Sequence, residues 1–374
     1  MLARERSERS EALAPLLLAW FTANRRDLPW RKSKTPYAVW LSEVMLQQTR
    51  VRTVEEYFPR FLQSYPTVED LAQADLASVL KEWSGLGYYR RARALHAGAR
   101  EVVERYGGKV PTDVASLRQI SGIGAYTAGA IASIAFGARE PLVDGNVARV
   151  LSRVFALRSD IRSPAGNRAV WELARELLPE REPGRYNEAL MELGATVCTP
   201  RAPRCESCPV RTLCQGRALG IEQELPVAKK KKQPREVHLV ALVTRRGDKV
   251  LLGRRRPSGL FGGLWEPPMV EAGQGKKAGE RLGALLGVDE PTLTLGAKQT
   301  HLLTHRKLHI TVASARIRGE PSPASAGPYD CFVWQNPAAL AGLGMSTLAR
   351  RVLAGSRAPQ PAGPTGVRSS STNE

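Results

Sequence analysis

The sequence predicts a mainly α-helical chain ending in a smaller α/β domain, on three observations. Residues 8–217 carry apolar positions at helical spacing, with short turns and few β-branched runs. A lysine- and proline-rich stretch, LPVAKKKKQPREV at 225–237, interrupts that pattern. Beyond it the period becomes two, in VHLVALV, KVLLGRR, HITVASARI and CFVWQ.

Bulk properties narrow the partners. A chain of 374 residues suffices for two or three domains, and 43% hydrophobic with 24% charged residues is ordinary for a globular protein. The net charge of +19 and pI near 10.1 are not ordinary, and point to nucleic acid rather than a membrane surface. No apolar run reaches the ~18 residues that a membrane span needs. The opening MLARERSERSEALAP lacks a signal-peptide core, and Glu5, Glu8 and Glu11 argue against a transit peptide. A reducing cytoplasm is therefore expected, with the five cysteines as metal ligands or core residues.

The elements follow in order. PTDVASLRQI offers Thr112 or Asp113 as a helix N-cap. In QISGIGAYTAGAI, residues 119–131, Gly122 and Gly124 break a helical pattern that restarts at once. This is either a tight helix–helix turn or, with N–H groups turned outward, an anion nest. VDGNVARVLSRVFAL offers Asp144 or Asn146 as a cap, followed by Val147, Val150, Leu151 and Val154 on one face. Cys198, Cys205, Cys208 and Cys214 then follow a C-x6-C-x2-C-x5-C pattern, a metal site whose spacing leaves zinc and iron–sulfur both open. Arg201, Arg204, Arg211 and Arg217 accompany it and offer phosphate contacts. A linker spans 218–236. In the domain at 237–355, VHLVALV and KVLLGRR read as a hairpin across TRRGD, with helices near 277–287 and 346–354. Cys331 reads as a core cysteine. The Pro-, Gly- and Ser-rich tail at 356–374 is expected to be disordered, and no internal repeat is apparent.

Two carboxylates stand apart. Glu43 is the only charged residue between Lys34 and Arg50, set among Val39, Trp40 and Leu46, which should raise its pKa. Asp144, at a helix start, should be held ionised by the dipole and free N–H groups. By themselves they are a buried acid and an N-cap.

The cysteine knot following a helix–Gly-x-Gly–helix element resembles the endonuclease III superfamily of DNA glycosylases. LSEVMLQQTRV and WSGLGYYRRAR narrow the resemblance to adenine DNA glycosylases of the A/G-mismatch type. It covers roughly residues 10–217 closely and 235–355 more loosely. The resemblance implies a helix–hairpin–helix at about 112–136, with Gly122 and Gly124 N–H groups on a DNA phosphate, and a [4Fe–4S] cluster in the 198–214 loop. Ser121 departs from the family's proline and should loosen the turn slightly.

Further roles come with the resemblance. Glu43 is the general acid toward adenine N7 and, once deprotonated, activates water; Asp144, oriented by Asn146, stabilises the oxocarbenium-like sugar. Tyr126 stands where lyase members carry the Schiff-base lysine, so a monofunctional enzyme leaving an abasic site is expected. Glu188 hydrogen-bonds the flipped adenine; Trp30, Arg31 and Leu46 line its side. Gln48 and Tyr88 are wedges beside the opposing base, with Thr49 and Leu86 as further contacts.

Residues 237–355 look like a Nudix-related domain that reads 8-oxoguanine. Glu266, Glu271 and Glu280 are too scattered for a Nudix hydrolase's Mg²⁺. HLLTHRKL occupies the place of the family's Phe-Ser-His loop, giving Leu303, Thr304 and His305. Thr304 keeps a hydroxyl for the lesion, Leu303 loses an aromatic wedge, and His305 either reads the lesion or supports the turn. The expectation is a monomeric, nucleoid-associated enzyme acting on adenine opposite 8-oxoguanine or guanine in double-stranded DNA. Two rivals are a lyase acting on oxidised pyrimidines, opposed by Tyr126, and a non-catalytic DNA binder, opposed by Glu43 with Asp144.

Overall fold

The computed structural model describes residues 3–227, 233–272 and 277–355, with side chains from residue 11 in the first helix. It parts into two units, 1–232 and 233–374, each taken by itself. The lysine run of the expected linker and the expected disordered tail lie outside the described residues.

The first unit is helical. Its helices are α1 (Ala3–Asn24), α2 (Pro36–Leu46), α3 (Val51–Ser64), α4 (Val68–Gln73), α5 (Leu76–Glu82) and α6 (Arg90–Tyr106). Then come α7 (Val114–Leu117), α8 (Ala125–Ala130), α9 (Gly145–Val154), α10 (Pro164–Glu176), α11 (Pro183–Thr196) and α12 (Gln215–Ala218). Short polar side chains start several of them by accepting an otherwise unpaired N–H: Thr35 for α2, Asp113 for α7, Asp144 for α9 and Ser163 for α10. The α9 face predicted from spacing is buried, with Val147, Val150, Leu151 and Val154 packed among Leu13, Leu17 and Phe21 of α1 and Leu190 and Leu193 of α11. Each such burial contributes about 1.5–3 kcal/mol, enough to fix where α9 begins.

The expected linker starts later than its composition suggested. Arg153 Nε donates to Leu225 O at 3.0 Å, and Leu225 is buried, so the chain stays docked on the helical unit well past residue 218.

The second unit holds β1 (Arg235–Leu242), β2 (Arg245–Arg246), β3 (Lys249–Arg255), β4 (Trp265–Glu266), β5 (Met269–Glu271), β6 (Thr294–Leu302), β7 (Arg306–Ser314) and β8 (Tyr329–Gln335). Helices α13 (Ala278–Leu286) and α14 (Thr347–Ala354) complete it. One sheet runs β5-β1-β7-β6; the other joins β2, β3 and β4, with β8 also on β3. β1 lies parallel to β7, from Arg235 opposite Arg306 to Leu242 opposite Ala313. The predicted hairpin between VHLVALV and KVLLGRR is therefore wrong. Both segments are strands, but β1 and β3 belong to different sheets, and β3 instead turns back on β2. Two apolar layers explain the split: Val237, Leu308 and Ile310 pack with Leu348 and Val352 of α14, whereas Val240, Leu251 and Ala313 pack with Leu282 and Leu286 of α13. Cys331, expected in the core, is only half-buried on β8.

Candidate active site

Glu43 sits in the last turns of α2, 5% exposed. The Tyr126 hydroxyl, from α8, donates a hydrogen bond to Glu43 Oε2 and lies 3.4 Å from Met191 Sδ. Burial pushes the Glu43 carboxyl up to about 7; the Tyr126 bond opposes this, nearby Asp144 and Glu188 add to it, and Arg31 opposes it. It is poised to hold and give up a proton near neutrality.

Asp144 faces the same cavity from the start of α9. Its Oδ1 accepts from Val147 N–H at 2.7 Å, and its Oδ2 from Asn146 Nδ2 at 2.9 Å. Asn146 is fixed in turn by Arg149 Nη2, 2.8 Å from its Oδ1, which also bonds Gly194 O on α11. The expected lowering of the Asp144 pKa is corrected here. Burial raises it above the ordinary aspartate value, although the Val147 and Asn146 hydrogen bonds pull the other way. The cap is present, but the depth of the cavity outweighs it.

The cavity between these groups measures about 760 Å³. Its wall includes Trp30, Arg31, Leu46, Gln48, Thr49 and Glu188 from the sequence reading. Gly122 and Gly124 also reach it. Gly122 has φ +83°, and a Cβ there would meet Ala94 Cβ at 2.8 Å, so the turn itself requires glycine. Gly124 has φ −90° and nothing within 4 Å of an added Cβ; the fold does not require glycine there, and the bare backbone is open to an approaching group. The expected loosening at Ser121 is not what the geometry gives. Its N–H and Oγ bond Glu101 at 2.9 and 2.6 Å, fastening the turn with a donor that proline lacks.

Several residues at the site escaped the sequence reading. Glu192, 1% exposed, accepts from Arg26 Nε at 2.7 Å and from Arg31 Nη2 at 2.9 Å, while Lys34 Nζ lies 2.9 Å from Glu188 Oε2. Arg91 Nη1 bonds the carbonyls of Val44 and Met45 at 2.7 and 2.8 Å; its Nη2 reaches Thr49 Oγ1 at 2.9 Å and Gly87 O at 3.2 Å. It thereby ties the turn carrying Gln48 (φ +57°) to the turn carrying Tyr88 (φ +48°). Tyr88 is exposed, whereas Leu86 is buried in its own turn and does not line the cavity.

Cys198, Cys205, Cys208 and Cys214 line one pocket beside the buried Arg153, which donates to Cys198 Sγ at 3.3 Å. Burial, reinforced by the neighbouring cysteines, pushes the Cys208 thiol up to about 12. Such thiols ionise only against cationic charge, which a metal centre supplies. Among the described residues Glu236, His238 and His309 also bring ligand atoms within 4.8 Å of one another, and Lys307 Nζ already holds Glu236 at 2.9 Å. Of the arginines around the knot, Arg211 and Arg217 pair with Glu206.

In the second unit, Leu303, Thr304 and His305 form the loop between β6 and β7, closed by Leu303 N–H to Arg306 O at 2.8 Å. Glu266 is turned inward, 2.6 Å from Arg255 Nε and 2.7 Å from the Tyr329 hydroxyl, so it serves the fold.

Residues 41–176 match the HhH-GPD superfamily of base excision DNA repair proteins, and residues 239–355 match the NUDIX domain family. The chain is 40% identical to an adenine DNA glycosylase of Rattus norvegicus over 83% of its own length and 71% of the relative's. It is 34% identical to one of Schizosaccharomyces pombe, over 69% of each. A thermostable thymine-DNA glycosylase structure overlays 57% of the chain and 99% of its own, with a TM-score of 0.53 and 31% identity. An endonuclease III bound non-covalently to DNA, at TM-score 0.50 and 23% identity, covers 59% of the chain and 99% of its own and shares the fold.

Proposed function

The chain belongs to the adenine DNA glycosylases, DNA-binding enzymes of base excision repair that remove adenine, and from that premise we propose that it excises adenine lying opposite 8-oxoguanine or guanine, as a monofunctional hydrolase that leaves an abasic site. One observation carries the chemistry: a carboxyl poised near pH 7 and a second, capped carboxylate share one cavity.

The adenine is flipped from the duplex into the cavity, at a cost of a few kcal/mol. Glu43 gives its proton to N7, so the base leaves as a neutral purine. Positive charge growing on the sugar is met by Asp144, held at that position by the α9 N–H groups and Asn146. The Tyr126 hydroxyl bonds the Glu43 carboxylate left by that transfer, which then takes a proton from the water attacking the sugar and so returns to its acid form. Tyrosine at 126 supplies no amine for a Schiff base, which supports hydrolysis without strand cleavage. Glu188, flanked by Lys34 and Arg31, is an acceptor for the exocyclic amino group.

Gly122 and Gly124 N–H groups, with the open backbone at Gly124, support a phosphate contact. Gln48 and Tyr88 on the two turns joined by Arg91 support a wedge role beside the estranged base. Cys198, Cys205, Cys208 and Cys214 would hold a [4Fe–4S] cluster, which would cross-link the loop. Thr304 and His305 would read the oxidised guanine. A monomer working at the nucleoid is the assembly and location this reading takes.

The test is single-turnover base release from duplexes with adenine opposite 8-oxoguanine, guanine, cytosine or thymine, with Glu43→Gln and Asp144→Asn as controls. Release confined to the first two duplexes is expected, with scission only after alkali. Stoichiometric scission without alkali, trapped by borohydride, would contradict the monofunctional reading.

A further inference from the structure

Arg31 stands between two demands. Its charge is useful beside Glu188, where the base is held, and harmful beside Glu43, whose proton the reaction uses. The geometry answers with Glu192. Arg31 Nη2 lies 2.9 Å from Glu192 Oε2, its Nη1 donates to Arg26 O at 2.9 Å, and its Nε faces Glu188 Oε1 at 3.7 Å. The guanidinium also lies 5.2 Å from the centre of the Phe21 ring. Arg26 closes the far side of Glu192 through its backbone N–H, at 3.2 Å, and its Nε and Nη2, at 2.7 and 2.8 Å. Every edge of Arg31 is thus engaged by a fixed partner.

We infer that Glu192 is a positioning residue for base removal: it fixes Arg31 on the Glu188 side of the cavity and keeps that charge off Glu43. The inference rests on Glu43 acting as the acid. The charged and titratable groups facing Glu43 are Tyr126 from α8, Asp144 at α9, Glu188 on α11 and Arg31 from the 29–31 turn. Of these, Arg31 is the cation, so its freedom sets how readily Glu43 loses its proton. Burial works against Glu192's own charge, yet the bonds from Arg26 and Arg31 hold its carboxyl down at about 2, so the clamp stays ionised at any working pH.

The test is the pH dependence of single-turnover adenine release for the full cluster-containing protein, for Glu192→Gln, Arg31→Gln and the double variant. In Glu192→Gln the alkaline limb should move to lower pH by roughly half a unit or more, with the loss growing as pH rises. In the Arg31→Gln background, adding Glu192→Gln should move the limb no further. A Glu192→Gln limb at the wild-type position, or an equal shift without Arg31, overturns the positioning role. A wild-type profile with no alkaline limb would sink the reading of Glu43 instead, so the two failures are told apart. Should Glu192→Gln fail to melt cooperatively, Glu192→Asp carries the test. Its shorter arm should give a smaller shift of the same sign, again absent without Arg31, and no shift would count against the inference.

Discussion

The Tyr126 hydroxyl donates its hydrogen bond to the one carboxyl in the cavity that burial pushes up to about 7, that of Glu43. The bond favours the ionised form, so Tyr126 works against the burial that keeps Glu43 protonated. Tyr126→Phe should therefore raise the Glu43 pKa and move the alkaline limb of adenine release to higher pH, by roughly half a unit or more. A limb that stays in place, or moves down, would show that the acid is another group.

The same burial has a cost in stability. A carboxyl whose native pKa lies above its unfolded value destabilises the fold increasingly as pH rises from about 4.5 through 7, and fully above that. Glu43→Gln removes the penalty while abolishing activity. It should be about 3 kcal/mol more stable than the parent above pH 7 and no more stable below the ordinary glutamate range, since each pKa unit is worth about 1.4 kcal/mol. Denaturant melts at pH 4 and pH 8.5 check this; equal gains at both would point to packing rather than ionisation.

Asp144 does two things that substitution can separate. Asparagine caps helices about as well as aspartate and carries no buried charge, so Asp144→Asn should keep α9 and melt at or above the parent near neutral pH while losing about 10²-fold or more in adenine release. Asp144→Ala should lose both, with a further cost of about 1 kcal/mol in stability. Comparable melts for the two variants would deny the cap a part in holding the cavity wall.

These residues also mark what the sequence made legible. Glu43 alone among apolar neighbours, Asp144 before an apolar face and four closely spaced cysteines are local patterns, and local chemistry fixes them. Nothing in the local sequence marks Glu192, because its partners Arg26 and Arg31 lie over 160 residues away in the chain. Arg91 was hidden for a similar reason: its acceptors are backbone carbonyls, which every residue carries. The missed sheet partners of β1 and β3 follow the same rule. Alternation identifies a strand, but its neighbour depends on which apolar layer closes first. The upward shift of the Asp144 pKa is not legible because cavity depth is not written in a cap motif.

Arg91 gives a substitution that acts on the turns rather than on the acid. Its guanidinium holds five acceptors around two turns in the left-handed region, and it lies 5.5 and 5.3 Å from the ring centres of Trp83 and Tyr88. Lysine keeps the charge and loses the fork. Arg91→Lys should cost about 1–3 kcal/mol in stability and slow base flipping, seen as a weaker 2-aminopurine signal at the adenine position, with the pH limb of adenine release unmoved. A shifted limb would mean that Arg91 acts on the acid rather than on the turns.

The cluster proposed for Cys198, Cys205, Cys208 and Cys214 makes a compositional prediction. The purified protein should carry iron rather than zinc, absorb broadly near ~400 nm, and lose that band and its cooperative melt in Cys208→Ser. Colourless protein with stoichiometric zinc would overturn the cluster assignment.

The loop between β6 and β7 offers Thr304 where the resemblance places a lesion-reading hydroxyl. If its Oγ1 meets the oxidised guanine, Thr304→Ala should lower the preference for adenine opposite 8-oxoguanine over guanine by about tenfold, the worth of one hydrogen bond. Affinity for undamaged duplex should hold, because phosphate contacts carry that term and bring its salt dependence. Thr304→Ser, which keeps the hydroxyl, should retain most of the preference. Single-turnover rates on the two mismatches decide it: an unchanged ratio in Thr304→Ala removes Thr304 from lesion reading and leaves His305 as the loop's remaining hydrogen-bonding side chain.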